Sequence, residues 1–286
     1  ASSAANPRAQ ELVSGAPLYN PNVAVHIVQK KQFSDKGKHE LTLYPVLAQF
    51  NGKFTQHFGS ALGYTYHLHE NFGLQFTPLF NWANAQSPFN AELIEKARLT
   101  AEPATSLLLN YGALAGVEVT PIYGKFAWYD DTLAQFSLIL TGGAGYGTTR
   151  LQLKDANNAG PATFGDAGGR FLGSVGAGFR VQLGDRFAIR MEVRDVVYTA
   201  RVDNVNGCSV NDLTWLEGEY RKDSAFDPAA RGAGKVSTGC QLDKFSGESN
   251  GYKRSSDIPL AYDMVREPTS DVLNLVSFYG GISFLF

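Results

Sequence analysis

The sequence predicts an all-β chain folded as an antiparallel, up-and-down transmembrane β-barrel of about eight strands, with ten as the alternative. Three observations point there. Composition favours strands and tight turns over helices, with 30 Gly, 13 Tyr and 19 Phe against 2 Met in 286 residues. Long segments alternate apolar and polar residues with period two. Their connections alternate between very short and long, as the two ends of a membrane barrel require.

The elements follow from that period. Strands are expected at 39–50 and 54–68, and then at 71–83, where Phe72, Leu74, Phe76, Pro78, Phe80 and Trp82 oppose Gly73, Gln75, Thr77, Leu79 and Asn81. A loop at 84–108 separates these from strands at 109–128 and 132–149, the latter with Phe136, Leu138 and Leu140 opposite Gln135, Ser137 and Thr141. After a loop at 150–168, strand 169–183 sets Phe171, Val175, Phe179 and Val181 against Leu172, Ser174, Arg180 and Gln182. Strand 186–200 sets Phe187, Ile189, Met191 and Val193 against Arg190, Glu192 and Arg194. Strand 272–286 closes the set. These strands are about 11 to 18 residues long, suited to crossing a bilayer at a tilt. Residues 1–21 read as a flexible tether and 22–286 as the barrel. Residues 22–33 alternate weakly and are either periplasmic or an extra strand, whose partner would lie within the long loop at 201–271.

Charge excludes other classes. With 25 basic and 27 acidic residues there is no long-range field for nucleic acid. No run of 18 apolar residues occurs, which excludes a transmembrane helix. The chain opens Ala-Ser-Ser-Ala-Ala-Asn-Pro-Arg, small residues of the kind a signal peptidase leaves, so an exported protein is expected. In that setting Cys208 and Cys240 are expected to pair, which in the chain-entropy model is worth roughly 3 to 4 kcal/mol.

An eight-stranded barrel is just wide enough to be filled by side chains. The alternation points Glu118, Arg180, Gln182, Arg190, Glu192 and Arg194 inward. Buried charges must be paired, so Glu118, Arg180, Arg190, Glu192 and Arg194 are expected to form a network that plugs the lumen. Asp195 falls on the outer face, which predicts a position at the rim or a bulge that shifts the register.

No catalytic, cofactor or metal site is expected. His67 and His69 share a strand face beside a turn and are read as solvated rather than as ligands. All five histidines, His26, His39, His57, His67 and His69, lie in the first quarter of the chain, where no Ser/His or Asp/His pair converges at the outer rim. Gly142-Gly143-Ala144-Gly145 lacks the Lys-Ser/Thr and the helix of a phosphate loop, and is read as relief of crowding. Tyr123, Trp128, Trp82 and Tyr279 are read as interfacial girdle residues.

The chain ends Tyr279-x-Gly281-x-x-Phe284-x-Phe286, the pattern by which outer-membrane barrels are recognised for assembly. Upstream, Val28-Gln29-Lys30-Lys31 with His39-Glu40-Leu41-Thr42 is followed by Thr120-Pro121-Ile122-Tyr123-Gly124-Lys125-Phe126 and then Gly142-Gly143-Ala144-Gly145. Gly176-Ala177-Gly178-Phe179-Arg180 and Met191-Glu192-Val193-Arg194-Asp195-Val196-Val197-Tyr198 complete the series. Together these resemble the myxobacterial-type outer membrane β-barrel domain family, over residues 23–200 and again from 272. The Cys208 to Cys240 insert matches nothing in that pattern.

The resemblance implies the outer membrane of a Gram-negative bacterium, with lipid and the barrel assembly machinery as partners, and it implies no reaction. It also points to barrels of envelope-spanning machines such as gliding-motility complexes. The expected role is thus a non-enzymatic anchor or interaction partner that binds another protein through its extracellular loops or N-terminal segment. The alternatives are a narrow channel for small solutes and an outer-membrane enzyme.

Overall fold

The computed structural model describes residues 33–52, 54–87, 107–128, 132–154, 161–268 and 271–286. The expected tether at 1–21, nearly all of the weak strand at 22–33 and most of the loop at 84–108 lie outside the described residues.

Eight long strands form one closed antiparallel ring. They are β1 (His39–Asn51), β2 (Thr55–His69), β3 (Phe72–Gln86), β4 (Leu107–Trp128), β5 (Thr132–Lys154), β6 (Thr163–Leu183), β7 (Phe187–Thr199) and, at the end of the chain, β12 (Val272–Leu285). The ring runs β1-β12-β7-β6-β5-β4-β3-β2, so each strand pairs with its sequence neighbour and β12 closes on β1. Segment 201–271 adds no strand to the ring, which removes the ten-stranded alternative. Strands β5 and β6 run further than expected, to Lys154 and from Thr163, and take up much of what read as a loop at 150–168. The β5–β6 ladder, which starts with Gln135 opposite Gln182, extends through two register shifts, at Thr149/Arg150 and Gln152/Lys154, to Lys154 opposite Thr163.

Burial follows the period-two pattern, with polarity inverted relative to a water-soluble barrel. Outward residues include Phe76, Phe80, Trp82, Phe171, Val175, Met191 and Ile282, all exposed. Buried inside are Glu40, Thr42, Gln49, Glu118, Arg180, Arg190, Glu192 and Arg194. The bulge at Pro45 on β1, where both pairings shift register, turns Pro45 and Val46 outward and returns Leu47 to the interior. Proline suits that place because it has no N–H to contribute to the ladder.

Segment 201–271 folds into a lobe at the loop end of the barrel. A two-residue hairpin comes first: β8 (Asn204–Val205) and β9 (Cys208–Ser209) joined by Asn206 and Gly207, both at positive φ. Asn-Gly is the preferred pair for such a turn. Helix α1 (Val210–Lys222) starts immediately on the Ser209 cap, where Asp212 reciprocates in a capping box. A short helix α2 (Pro228–Arg231), a hairpin of β10 (Glu248–Ser249) and β11 (Tyr252–Lys253), and helix α3 (Ile258–Arg266) complete it. The Cys208–Cys240 disulfide ties β9 to the loop ahead of Leu242.

Candidate functional site

The barrel interior holds a dense ion-pair network at the end where the short turns lie. Arg180 donates to Glu40 Oε2 at 2.7 Å and to Asp35. Arg190 donates to Glu40 Oε1 at 2.8 Å, to Glu118 Oε2 at 2.5 Å and, through Nε, to Glu192 Oε1 at 3.1 Å. Arg194 binds Glu192 Oε2 at 2.9 Å through Nε and 2.7 Å through Nη2. The Tyr44 hydroxyl donates to Glu192 at 2.5 Å, and His67 Nε2 lies 2.8 Å from Glu40 Oε2. Each of these side chains is buried, and three guanidiniums interleave with four carboxylates. The structure thus brings together Glu118, Arg180, Arg190, Glu192 and Arg194, while Gln182 lies beyond them toward the turns.

Two features make the network fit a narrow tube. Gly176 and Gly178 on β6 face the stems of Arg194 and Glu192, and a Cβ there would lie 2.6 and 2.5 Å from their Cγ atoms. Tyr279 on β12 lies edge-on to Tyr44, with ring centroids 5.3 Å apart and the Arg194 guanidinium 4.7 Å from its ring. The space left beside Arg194, Thr77, Thr141 and Ser174 measures about 10 Å³, room for one water.

Four members lie beyond the sequence reading: Asp35, Glu40, Tyr44 and His67. Glu40, Thr42 and Tyr44 alternate on β1, so period two carries the signal for Glu40 and Tyr44. Asp35 precedes the strand and has no such signal. His67 corrects an expectation. It is buried against Glu40, whereas His69 is exposed, because the β2–β3 register shifts between them. Glu40, His67 and Glu118 place ligand-type atoms within 4.8 Å of one another. Arg180 and Arg190 already bind both Glu40 oxygens and Glu118 Oε2 there, and the two guanidinium charges oppose a cation.

Two further expectations change. Tyr279 faces inward rather than joining an interfacial girdle, because β12 turns its odd-numbered residues to the lumen. Gly281 also faces inward, packed against the Leu43 carbonyl, whereas Phe284 and Phe286 point outward. Asp195 stays on the outer face without a bulge in the β6–β7 pairing, and accepts a bond from Asn274 Nδ2 at 3.2 Å. The side chain of Trp128 lies outside the described residues.

Above the ion pairs the lumen is closed twice more. An amide layer joins Asn81 to Gln49 at 2.7 Å and Gln49 to Ser277 at 2.8 Å, while the Leu109 N–H donates to His57 at 3.1 Å. An apolar layer of Leu107, Leu151, Leu172, Val196, Tyr198 and Leu275 then runs without a break into the lobe core of Leu213, Leu216, Phe245, Ile258 and Val265. The lobe therefore sits on the mouth as part of the same apolar cluster.

Polar contacts fix its seat. Asn206 exchanges bonds with Asp166 on β6, through N–H to carbonyl at 2.7 Å and through Oδ1 from the Asp166 N–H at 2.9 Å. Its own carbonyl accepts from Gln241 at 3.0 Å. The positive φ that makes all three reachable suits Asn better than a branched residue. Asp257 accepts from Thr163 on β6 at 3.0 Å and from the Tyr252 hydroxyl at 2.6 Å, and burial lifts its carboxyl above the ordinary range despite those bonds. Burial likewise pushes the Tyr252 hydroxyl up. Burial works against the Asp212 carboxylate too, but backbone and hydroxyl donors of Ser237 and Ser209 outweigh it and hold the carboxyl below its usual value.

Neither the family models nor the curated proteins contain a match to this chain. Three solved outer-membrane β-barrel proteins are similar to it. The N-terminal β-barrel domain of OprF from Pseudomonas aeruginosa is 8% identical, covering 88% of this chain and 98% of that one at a TM-score of 0.34. Ail, the attachment invasion locus protein of Yersinia pestis, is 10% identical over 88% and 99%, at 0.33. Neisserial surface protein A is 8% identical over 87% and 96%, at 0.31. The eight-stranded closure stands on the strand pairing of this chain itself.

Proposed function

We propose that the chain is a non-enzymatic outer-membrane barrel of a Gram-negative bacterium, acting as an anchor or interaction partner in an envelope protein complex. Membrane residence is supported by the inverted surface, an apolar outer wall around a charged interior, which hydrocarbon favours and water does not. The observation that carries the functional reading is the filled lumen. Among the described residues, ion pairs, an amide layer and an apolar layer follow one another along the tube and fill it, which supports a scaffold over a solute channel. What the scaffold holds is a disulfide-braced lobe at its mouth, and structured loops on rigid barrels are where binding concentrates. The resemblance to barrels of envelope-spanning machines makes a motility-type complex the partner class of this reading.

The test is affinity purification from native outer membranes in mild detergent, with the parent chain and a variant lacking residues 205–245. A partner that co-purifies with the parent and is lost from the variant supports the reading, provided the variant still migrates as a folded, heat-modifiable barrel. Retention of every partner by that variant removes the lobe from the role. Step-like conductance of the parent in planar bilayers overturns the scaffold reading.

A further inference from the structure

The chain reaches β1 by crossing the turn end of the barrel. The Phe33 N–H donates to Gln135 Oε1 on β5 at 3.3 Å, and the Asp35 N–H donates to Glu70 Oε2 in the β2–β3 turn at 3.2 Å. The Ser34 hydroxyl also bonds to Glu70, and Lys38 Nζ donates to the Asp185 carbonyl in the β6–β7 turn at 3.3 Å. Residues 33–38 therefore meet the ring at β5, at two of its tight turns and, through Asp35, at Arg180 on β6. Of these six residues Asp35 alone is buried. A turn directs it inward: the Lys38 N–H donates to the Asp35 carbonyl at 3.0 Å, and Gly37 within the turn takes a φ of 77°, which glycine adopts without steric cost.

Charge sets Asp35 apart from the rest of the network. The ring strands alone bring Glu40, Glu118 and Glu192 against Arg180, Arg190 and Arg194, and each of these has a partner within that set. Asp35 is the network carboxylate carried on no ring strand. Withdrawing it leaves a balanced set in which Arg180 still binds Glu40 at 2.7 Å, whereas loss of Glu192 leaves Arg194 without a carboxylate. The bonds of Ser34 to Glu70 and of Lys38 to Asp185 are exposed, and such bonds hold weakly against water. Beyond the turn the hold changes. The Gly37 N–H donates to the His67 carbonyl at 2.8 Å and the His67 N–H to the Lys38 carbonyl at 3.0 Å, and from His39 onward β1 is paired on both edges. The boundary between weakly and firmly held chain thus falls at Gly37, a residue whose backbone freedom suits a hinge.

We propose that residues 33–36 are a releasable strap over the turn end of the lumen, hinged at Gly37 and latched by the Asp35–Arg180 pair. Seated, the Asp35 carboxylate caps Arg180 and shuts the ion-pair layer. Released, it admits water as far as Arg180, Glu40 and the neighbouring Thr65, while the amide and apolar layers stay closed. The chain ahead of residue 33 continues directly from the strap, so a partner that engages that chain acts first on the latch. The scaffold reading stands apart from this device, because the tube remains filled at its loop end in either state.

Thr65 supplies the reporter. It is buried on β2 opposite Glu40, and its hydroxyl has no hydrogen-bond partner among the described residues, so Thr65→Cys is a mild change. Because both native cysteines are joined to each other, it is the one free thiol in the chain. The folded barrel in detergent is treated with a small methanethiosulfonate, and labelling is followed by mass, with Leu275→Cys in the apolar layer as the control for general loosening. Thr65→Cys is expected to react faster than Leu275→Cys, and several-fold faster again with Asp35→Ala, which leaves the Leu275→Cys rate unchanged. A disulfide joining Ser34→Cys to Glu70→Cys, verified by peptide mapping, is expected to slow Thr65→Cys to the control rate. Equal protection of the two reporters, indifference to Asp35→Ala, or equal acceleration at both overturns the strap. Undiminished labelling of the cross-linked barrel overturns it as well, and that arm leaves Asp35 in place, so it decides the matter even where Asp35→Ala fails to fold.

Discussion

Glu192 joins two arginines and a tyrosine, so its removal shows how far the lumen network is a unit. Without it, Arg194 keeps Thr77 Oγ1 at 3.4 Å and the Tyr279 ring, while Arg190 keeps Glu40 and Glu118. Leaving a buried guanidinium without its carboxylate costs about 3 to 5 kcal/mol, whereas removing both charges together costs far less. Glu192→Ala is therefore expected to lower the urea midpoint in detergent strongly, and Glu192→Ala with Arg194→Leu to recover most of the loss. A midpoint for Glu192→Ala equal to the parent's would show that the network contributes little. The same residues show what a sequence makes legible. Glu118, Arg180, Arg190, Glu192 and Arg194 stand in unbroken alternation, so their facing could be read directly. Asp35 and His67 could not, because one precedes the strand and the other sits where a register shift separates it from His69.

At the scale of elements, the eight strands were legible because period two persists over many residues, and their ends shifted by only a few positions except in the β5–β6 hairpin. The lobe was legible as a compact, disulfide-bearing insert but its helices were not. Its signals are short: an Asn206-Gly207 turn, then Ser209 and Asp212 as a capping box, each visible only when read as local chemistry. Asp212 gives that cap a pH signature. Its carboxyl titrates below the ordinary range in the fold, so the stability it adds is complete above the unfolded pKa and disappears as pH falls through the lowered folded value. Asp212→Ala is expected to cost about 1 to 2 kcal/mol of lobe stability at neutral pH. Parent and variant should converge on acidification, as measured by the temperature of lobe unfolding. A gap that stays constant down to strongly acidic pH would place the effect elsewhere. The disulfide acts on the same element, with a sequence separation of 32 residues. Closing a loop of that size is worth roughly 4 kcal/mol in the chain-entropy model, so reduction should speed proteolysis within 201–271 while the barrel stays intact. Equal cleavage rates in both redox states would show that the apolar seat alone holds the lobe.

For the whole molecule, the decisive step is closure of the ring, and the end of the chain is where it happens. Thr42 and Ser283 bond across the β1–β12 seam at 2.8 Å although 241 residues separate them, so this seam carries the largest loop-closure cost in the barrel and is expected to form late. The seam ends with His39 and Phe286, each donating its N–H to the other's carbonyl at 2.9 Å. The Phe286 side chain points outward, stacked on His39 and Phe284 with centroids 5.7 and 6.0 Å away. One residue further in, Glu40 pairs with Leu285 and presents its carboxylate to Arg180 and Arg190. Closing the wall and satisfying the lumen are consequently one event: if β12 fails to seat, β1 cannot place Glu40, and two buried arginines lose an acceptor. Deletion of Phe286, or Phe286→Asp, removes the final seam bonds or sets a charge in the apolar belt. Either change is expected to leave export intact and to abolish the heat-modifiable form on unheated gels, while Phe286→Tyr keeps it. Accumulation of fully heat-modifiable protein after the deletion would show that the ring closes without its last residue, and that the lumen ion pairs rather than the terminal seam hold β12 in place.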